Sequence, residues 1–556
     1  MLSHLTRTKR FHAVNGLFNE SVMLPGFATS LAVDFCMRFL KNDYVWALLA
    51  GSSCVFGFAP FGIFPIPVLA LAVLFALWQR AGTPREAARM GFVFGLGLFG
   101  AGISWIYVAL HDYGDMPMLL ALPATMLFAA FLALFTALAG YVQARFSVAD
   151  ELRIMLVMPA AWVSVEWLRG TIFTGFPWLT LGYAHSDSPL AGYAPVFGVY
   201  GVSLVAAVSA GVLAYTSINL LRGPIAVWRG TRFRASFFRG VRIPLLILVV
   251  LWIGGAALRT IAWTQPHGEP FSVALVQGNI AQNLKFNEDA LVGTLETYRR
   301  LVLQNDARLT VLPETALPLL RLEIPPNLIG RLRDHVSQGG GDVLVGSFER
   351  DHGNYYNSVF SLGADEEQQY RKQHLVPFGE FIPLRPLLGW FINGVLNIPM
   401  GDLARGDQLQ APLDVAGQHV AVNICYEDAF GEEIIRALPQ ATLLVNVTND
   451  AWYGHSYAAE QHNQISQMRA MESGRMLLRA TNTGVTSIIG MDGKVLQQLP
   501  QHVEAVLHGT AQGYEGYTPY ARWSNVPVLL LIALMLAGSW PRRNGFRFGS
   551  FGRNTK

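Results

Sequence analysis

The sequence predicts two parts: a membrane α-helical domain of about eight transmembrane helices, and an α/β domain carried outside the cytoplasm. Three observations predict it. Only 14% of the 556 residues are charged, against about 25% in an average soluble domain. The deficit is uneven, since residues 44–263 hold few Asp or Glu whereas 265–520 have ordinary charge. Short basic clusters alternate between the apolar runs, as membrane topology requires. With a formal net charge of only +3, gathered in those clusters, the chain offers no nucleic-acid surface.

Residues 1–43 begin the chain with Arg7, Lys9 and Arg10, then Asn15, Asn19 and Glu20, and contain no apolar run long enough for a secretory core. They are expected to be a cytoplasmic extension rather than a cleaved signal, with Met23 and Met37 as alternative starts. Helices one to seven are assigned to 44–263, with spans at 44–59, 63–80, 89–110, 118–144, 153–168, 195–221 and 242–263. The eighth span, 523–540, lies in 516–541, before a basic cytoplasmic tail at 542–556. Several approach the roughly 20 residues that cross a hydrocarbon core, while the first, second and fifth are short.

Positive charge stays cytoplasmic. Arg38 and Lys41 precede the first span, Arg80, Arg85 and Arg89 follow the second, and Arg145 and Arg153 separate the fourth from the fifth. Six arginines from Arg222 to Arg242 fill the connection after the sixth, and Arg542, Arg543 and Arg547 follow the eighth. The connections His111–Met116 and 170–194 hold no Lys or Arg and belong outside, as does 264–515. Glu166, costly within a span, is read as an ion pair with Arg169 three residues on. Trp162, Trp167, Phe176 and Trp178 are read as anchors at the headgroup level.

From Phe271 the texture changes to short β-branched runs ended by turn residues: FSVALVQG, LTVLPE, DVLVGSFE, HVAVNICY, LLVNVTND and TGVTSIIG. Such runs read as strands buried on both faces. Helical stretches at Ala290–Leu303, Leu328–Val336 and Gln461–Leu478 separate some of them, giving a layered α/β domain.

Of the three cysteines, 36 and 54 lie in or beside membrane segments, leaving Cys425 in VNICYED without a disulfide partner. A lone buried thiol is commonly core packing. Glu314 in VLPETALP and Lys372 in YRKQHLVPFGE change that reading. A thiol supplies a soft nucleophile, a carboxylate can accept its proton, and an ammonium can hold the charge that builds on an attacked carbonyl oxygen. Glu314 and Cys425 each sit where a predicted strand releases into a loop, the usual address of a site in an α/β fold. No zinc-like Cys and His spacing, P-loop or dinucleotide fingerprint occurs, so neither metal nor cofactor is expected.

With these flanks, and with EWLRG at 166–170, FPWLTLGY from Phe176, VPFGE from Val376, NDAWYG from Asn449 and TPYAR before the last span, the chain resembles the apolipoprotein N-acyltransferase family of Gram-negative bacteria, within the nitrilase superfamily. The resemblance implies a nitrilase-like αββα sandwich in the periplasm, on a multi-pass inner-membrane protein. It implies Cys425 as nucleophile, Glu314 as general base and Lys372 as stabiliser of the tetrahedral intermediate, with Glu380 and Glu427 as supporting carboxylates. Tyr426 and Trp452 are candidates to line the site, Phe286 is a weaker one, and Asn449 and Asp450 fit a strand-end cap equally well. The implied acyl donor is a phospholipid, typically phosphatidylethanolamine. The acceptor is the N-terminal amine of a diacylated apolipoprotein. A monomer is expected, since no heptad seam occurs. Transfer of the acyl group to water, or a ligand-binding transporter, are the competing readings.

Overall fold

Pro84 follows Thr83, whose hydroxyl accepts a hydrogen bond from the Glu86 amide at 3.1 Å, so the sequence sets its own helix start. That helix, α3 (Pro84–Gly102), belongs to a series in this computed structural model, which describes residues 42–226, 231–285, 287–382 and 402–539. Side chains of 222–240 are outside that description, and so are the N-terminal extension, the basic tail and Phe286.

The membrane half contains α1 (Asp43–Ser53), α2 (Pro65–Arg80), α3, α4 (Met118–Gln143), α5 (Met158–Thr171), α6 (Ala194–Ala226) and α7 (Thr231–Leu258). After a 53° bend, α3 resumes as Trp105–Tyr113. Each of the first seven predicted spans coincides with a helix, but length and composition qualify fewer of them as crossings. Among the described residues three helices are long and apolar enough, and four if the bent pair counts as one. α2 and the C-terminal helix Val526–Gly538 are apolar but shorter. Most of α6 is buried, whereas α4 and α7 turn much of their apolar surface outward. α6 turns at Gly198, where φ is +68° and the Tyr520 ring lies 2.3 Å from where a Cβ would stand.

Two readings of this half are corrected. Glu166 and Arg169 spend their hydrogen bonds on the segment 176–181 rather than on each other. Glu166 accepts from the Leu181 amide at 2.9 Å, and Arg169 donates to the carbonyls of Phe176 and Trp178 and to the Thr180 hydroxyl. Trp162 and Trp178 are buried, so they cannot anchor at headgroup level.

Among the described residues the second half has twelve strands in two sheets. The first runs β12-β1-β2-β3-β4-β5 and the second β11-β10-β9-β8-β7-β6. In chain order the strands are β1 (Gln265–Gln277), β2 (Leu309–Val311), β3 (Asp342–Asp351), β4 (Asn354–Leu362), β5 (Gln369–Arg371), β6 (Leu413–Val415), β7 (Gln418–Ile424), β8 (Leu443–Thr448), β9 (Leu477–Thr481), β10 (Ser487–Ile489), β11 (Val495–Gln498) and β12 (Ala505–Glu515). Each sheet has a parallel centre, β1-β2-β3 or β7-β8-β9, with antiparallel flanks. The predicted continuous apolar runs fall on or beside β1, β2, β3, β7, β8 and β10.

Three apolar clusters define four layers. Val273, Val311, Leu344, Val422, Val445 and Leu478 meet between the sheets. Helices α8 (Glu288–Leu303) and α9 (Pro326–Gln338) pack through Val302 and Leu332 on the outer face of the first sheet. On the outer face of the second, Ala470 of α10 (Ala458–Ser473) joins Ala421, Leu444 and Leu477. This is the αββα sandwich that the resemblance implied. α10 starts three residues before the predicted helix and stops at Gly474 (φ +65°), so the predicted C-terminal end overran into β9.

Candidate active site

Four chain segments leave the sheets toward one buried cluster of side chains. Glu314 follows β2 across Leu312 and Pro313, Lys372 directly follows β5, Cys425 directly follows β7, and Asn449 directly follows β8. The Lys372 ammonium, only 1% exposed, donates to Glu380 Oε1 at 2.8 Å and to Glu314 Oε1 at 3.3 Å. Asn357 Nδ2 bridges the same two carboxylates, at 2.7 Å to Glu314 and 3.3 Å to Glu380. The remaining Glu314 oxygen accepts the Asn449 main-chain amide at 2.9 Å. Every oxygen of the base is therefore aimed by a named donor.

Charge at these groups follows from the pairing. Burial raises the Glu314 carboxyl, but Lys372 and Lys285 outweigh it and hold the group below its ordinary value. Burial opposes the Lys372 charge, yet Glu314 and Glu380 keep its ammonium well above the ordinary range. For Cys425, burial and the Glu314 charge push the thiol up, while Lys372 and a hydrogen bond from the Thr448 hydroxyl oppose. The resting sulfur is a thiol, so it needs a base at the moment of attack.

Cys425 has φ +54°, in the left-handed region that a side chain occupies only under constraint. The constraint is visible. Its carbonyl accepts from Asn446 Nδ2 at 3.2 Å and faces His462 Nε2 at 3.3 Å. His462 lies between two carboxylates, with Nδ1 3.0 Å from Asp450 and Nε2 2.9 Å from Asp428. Both ring nitrogens must donate, which makes the ring an imidazolium; burial and Arg479 oppose that charge, and the two aspartates outweigh them. Arg479 reaches Asp428 and Asp450 at 3.1 Å each, closing a fully buried set of two anions and two cations beside Cys425.

Glu427 acts at one remove. Its carboxylate accepts the amides of Ile424 at 2.6 Å, Gln373 at 2.6 Å and His374 at 3.0 Å, and the Tyr370 hydroxyl at 3.0 Å. It thus ties the backbone just after Lys372 to the backbone just before Cys425. Tyr426 is buried, donates to the Gly175 carbonyl at 3.1 Å and rests its ring near Phe176 and Trp178. Trp452 is half-buried and meets Tyr113 edge-on. Asp450 is a member of the buried charge network, more than a strand-end cap. Asn357 and Lys285 were not anticipated: one sits mid-strand in an unpredicted β4, the other in a four-residue turn.

Two family models match the chain: the apolipoprotein N-acyltransferase N-terminal domain over residues 50–212 and the carbon-nitrogen hydrolase over residues 272–516. It is 51% identical over 506 residues to the apolipoprotein N-acyltransferase of Nitrosomonas europaea, covering 90% of this chain and 98% of that one. The chain belongs to the apolipoprotein N-acyltransferase family. A second N-acyltransferase, from Ralstonia nicotianae, is 44% identical over 89% of this chain and 93% of its own length. Among solved structures, a CN-hydrolase superfamily protein from Xanthomonas campestris is similar at 17% identity and a TM-score of 0.35, over 51% of this chain and 100% of that one. The N-acyltransferase and hydrolase matches divide the chain as the helical and sandwich halves do, and Glu314, Lys372 and Cys425 all fall in the hydrolase match.

Proposed function

We propose that this chain N-acylates apolipoproteins in two half-reactions through an acyl-Cys425 thioester. In the first, the sulfur attacks the ester carbonyl of a membrane phospholipid, for which phosphatidylethanolamine is the proposed donor, while Glu314 takes the thiol proton. The Lys372 ammonium holds the charge that builds on the carbonyl oxygen. Collapse expels the lysophospholipid alkoxide, which takes the proton back from Glu314. In the second, the N-terminal amine of a diacylglyceryl-cysteine attacks the thioester, Glu314 accepts the amine proton, and the thiolate leaves and is reprotonated. The new bond is an amide. The convergence of Glu314, Lys372 and Cys425 in one buried cluster is the observation that carries this reading. Covalent storage lets one site serve two lipid substrates in turn.

The proposed setting is the inner membrane of a Gram-negative cell, with a monomer crossing eight times. Seven spans within 44–263 lead to a periplasmic catalytic domain at 264–515, and the eighth span in 516–541 returns the chain. The alternating basic clusters and the apolar helices support this arrangement.

Intact-mass analysis of the purified protein and Cys425→Ala, each incubated with phosphatidylethanolamine and no acceptor, tests the reaction. The native protein is expected to gain one acyl mass that the variant lacks. A diacylated lipopeptide should then discharge it and become triacylated. No adduct on either protein, with lipopeptide unmodified, overturns the reading; discharge to free fatty acid at the same rate with or without lipopeptide assigns a hydrolase.

A further inference from the structure

The turn Gln282–Lys285 lies between β1 and α8 and is fastened to the strand ends that carry the site. Gln282 Oε1 accepts from Asn449 Nδ2 at 2.8 Å, and the Asn449 main-chain amide is the donor that holds Glu314 Oε2. From the same turn, Lys285 reaches inward until only 3% of it is exposed, and its ammonium donates to the Glu314 carbonyl oxygen at 2.9 Å. Among the described residues that carbonyl is its one hydrogen-bond acceptor. A buried ammonium with three donors and one neutral acceptor is an expensive way to cap a carbonyl, because an amide or a hydroxyl would do so without a desolvated charge.

The charge of the pocket supplies a reason. Glu314 and Glu380 are both buried and share a single ammonium, that of Lys372. Two carboxylates against one ammonium leave one excess negative charge beside a sulfur that must itself become an anion. Lys285 restores neutrality. Burial opposes its charge and brings the ammonium down to about 8, while negative charge on Glu314 and Cys425, the two groups between which the proton moves, favours it.

We infer that Lys285 is a second, electrostatic positioning residue of the acyl-transfer site, whose ammonium keeps Glu314 ionised as the base and balances the negative charge that shifts to Cys425 during attack. This inference rests on the acyl-transfer reading above. It makes no new covalent step: the thiol proton still goes to Glu314, and Lys285 keeps its own.

The test measures the rate of acyl-enzyme formation from phosphatidylethanolamine on the full chain, from about pH 3 to about pH 10, for the native protein, Lys285→Gln and Lys285→Arg. Gln keeps a donor to the Glu314 carbonyl but removes the charge; Arg keeps the charge and does not titrate in this range. Lys285→Gln is expected to slow acylation about tenfold or more and to move the acid limb of the profile upward, because Glu314 then ionises less readily. Lys285→Arg is expected to keep the acid limb in its native place, whatever its absolute rate. The native profile should fall as Lys285 loses its proton at about 8, and that fall should be missing from Lys285→Arg. Lys285→Gln with both limbs in their native positions overturns the inference, as does loss of the folded state in both variants, which would assign Lys285 to the fold. A native protein that forms no adduct is a different result: it sinks the acyl-transfer reading itself.

Discussion

Lys372 is the side chain on which most of the site's charge depends. It is enclosed, and both carboxylates in contact with it are buried. Replacing one partner of such a set leaves uncompensated charge behind, at a cost of about 3–5 kcal/mol. Lys372→Met is therefore expected to lower the melting temperature in detergent, to raise the Glu314 carboxyl toward neutrality and to abolish acyl-enzyme formation; a variant with native melting and native acylation would contradict the pairing. Glu427 makes a complementary case, because all its partners are donors. Glu427→Gln turns an acceptor toward them into a donor, leaving at least one amide unsatisfied at about 1–3 kcal/mol. Burial pushes the Glu427 carboxyl up to about 7. The folded protein thus holds a proton that the unfolded chain has already lost, so this group's contribution to stability falls as pH rises from the ordinary carboxyl value through about 7. Thermal unfolding followed across that interval should show the slope in the native protein and not in Glu427→Gln.

The α10 helix and the ends of β7, β8 and β9 meet in the network of Asp428, Asp450, His462 and Arg479, which fixes the unusual backbone at Cys425. His462 is held protonated, so its folded value is raised. Its stabilising effect is full below the ordinary histidine value and is lost as pH rises through the raised one. Asp428→Asn is expected to cost about 3–5 kcal/mol and to make the protein lose stability at a lower pH than the native chain, as read by unfolding at several pH values. The central strands β1, β3, β7 and β8 were legible because their buried stretches are apolar on both faces, whereas β9 was taken into the end of the preceding helix. β4 and β12 were not: β4 opens with NYYNS, whose Asn357 turns toward Glu314 and Glu380, and β12 alternates with exposed polar residues. Glu314, Lys372 and Cys425 stood out because a thiol, a carboxylate and an ammonium in those flanks have few other uses. Lys285 carried no such mark, since a single lysine in a short turn reads as a solvated charge until its burial is seen.

α10 also explains how the sandwich is held to the membrane helices, because every one of its residues except Glu460 is buried. One side packs on the second sheet through Ala470, while Gln461 accepts from the Trp178 indole at 2.7 Å, Gln464 accepts from the Ala59 amide at 3.1 Å, and Glu472 accepts from the Val199 amide at 2.7 Å, just beyond the turn at Gly198. Such a helix has polar and apolar residues on every side, which is why its sequence shows no single apolar stripe. Tyr426, next to Cys425, bonds Gly175 of the membrane half, so both halves meet beside the proposed nucleophile. Loosening this seam should therefore disturb acylation as well as stability. Glu472 is the stronger lever: it pairs with the buried Arg469 at 2.9 Å as well as with Val199, and Glu472→Ala strands a guanidinium and a helix-turn amide together. A loss of about 3–5 kcal/mol is expected; in Trp178→Phe the lost donor to the Gln461 carbonyl costs about 1–3 kcal/mol, while a phenyl ring keeps part of the packing on Tyr426 and Tyr453. Limited proteolysis reads the difference, since an open seam exposes the chain between the halves, near residues 259–264, before the sandwich itself unfolds. Cleavage there that rises in Glu472→Ala, less in Trp178→Phe and in step with slower thioester formation would tie the seam to the chemistry; equal cleavage in all three proteins would show that the halves stay together without these bonds.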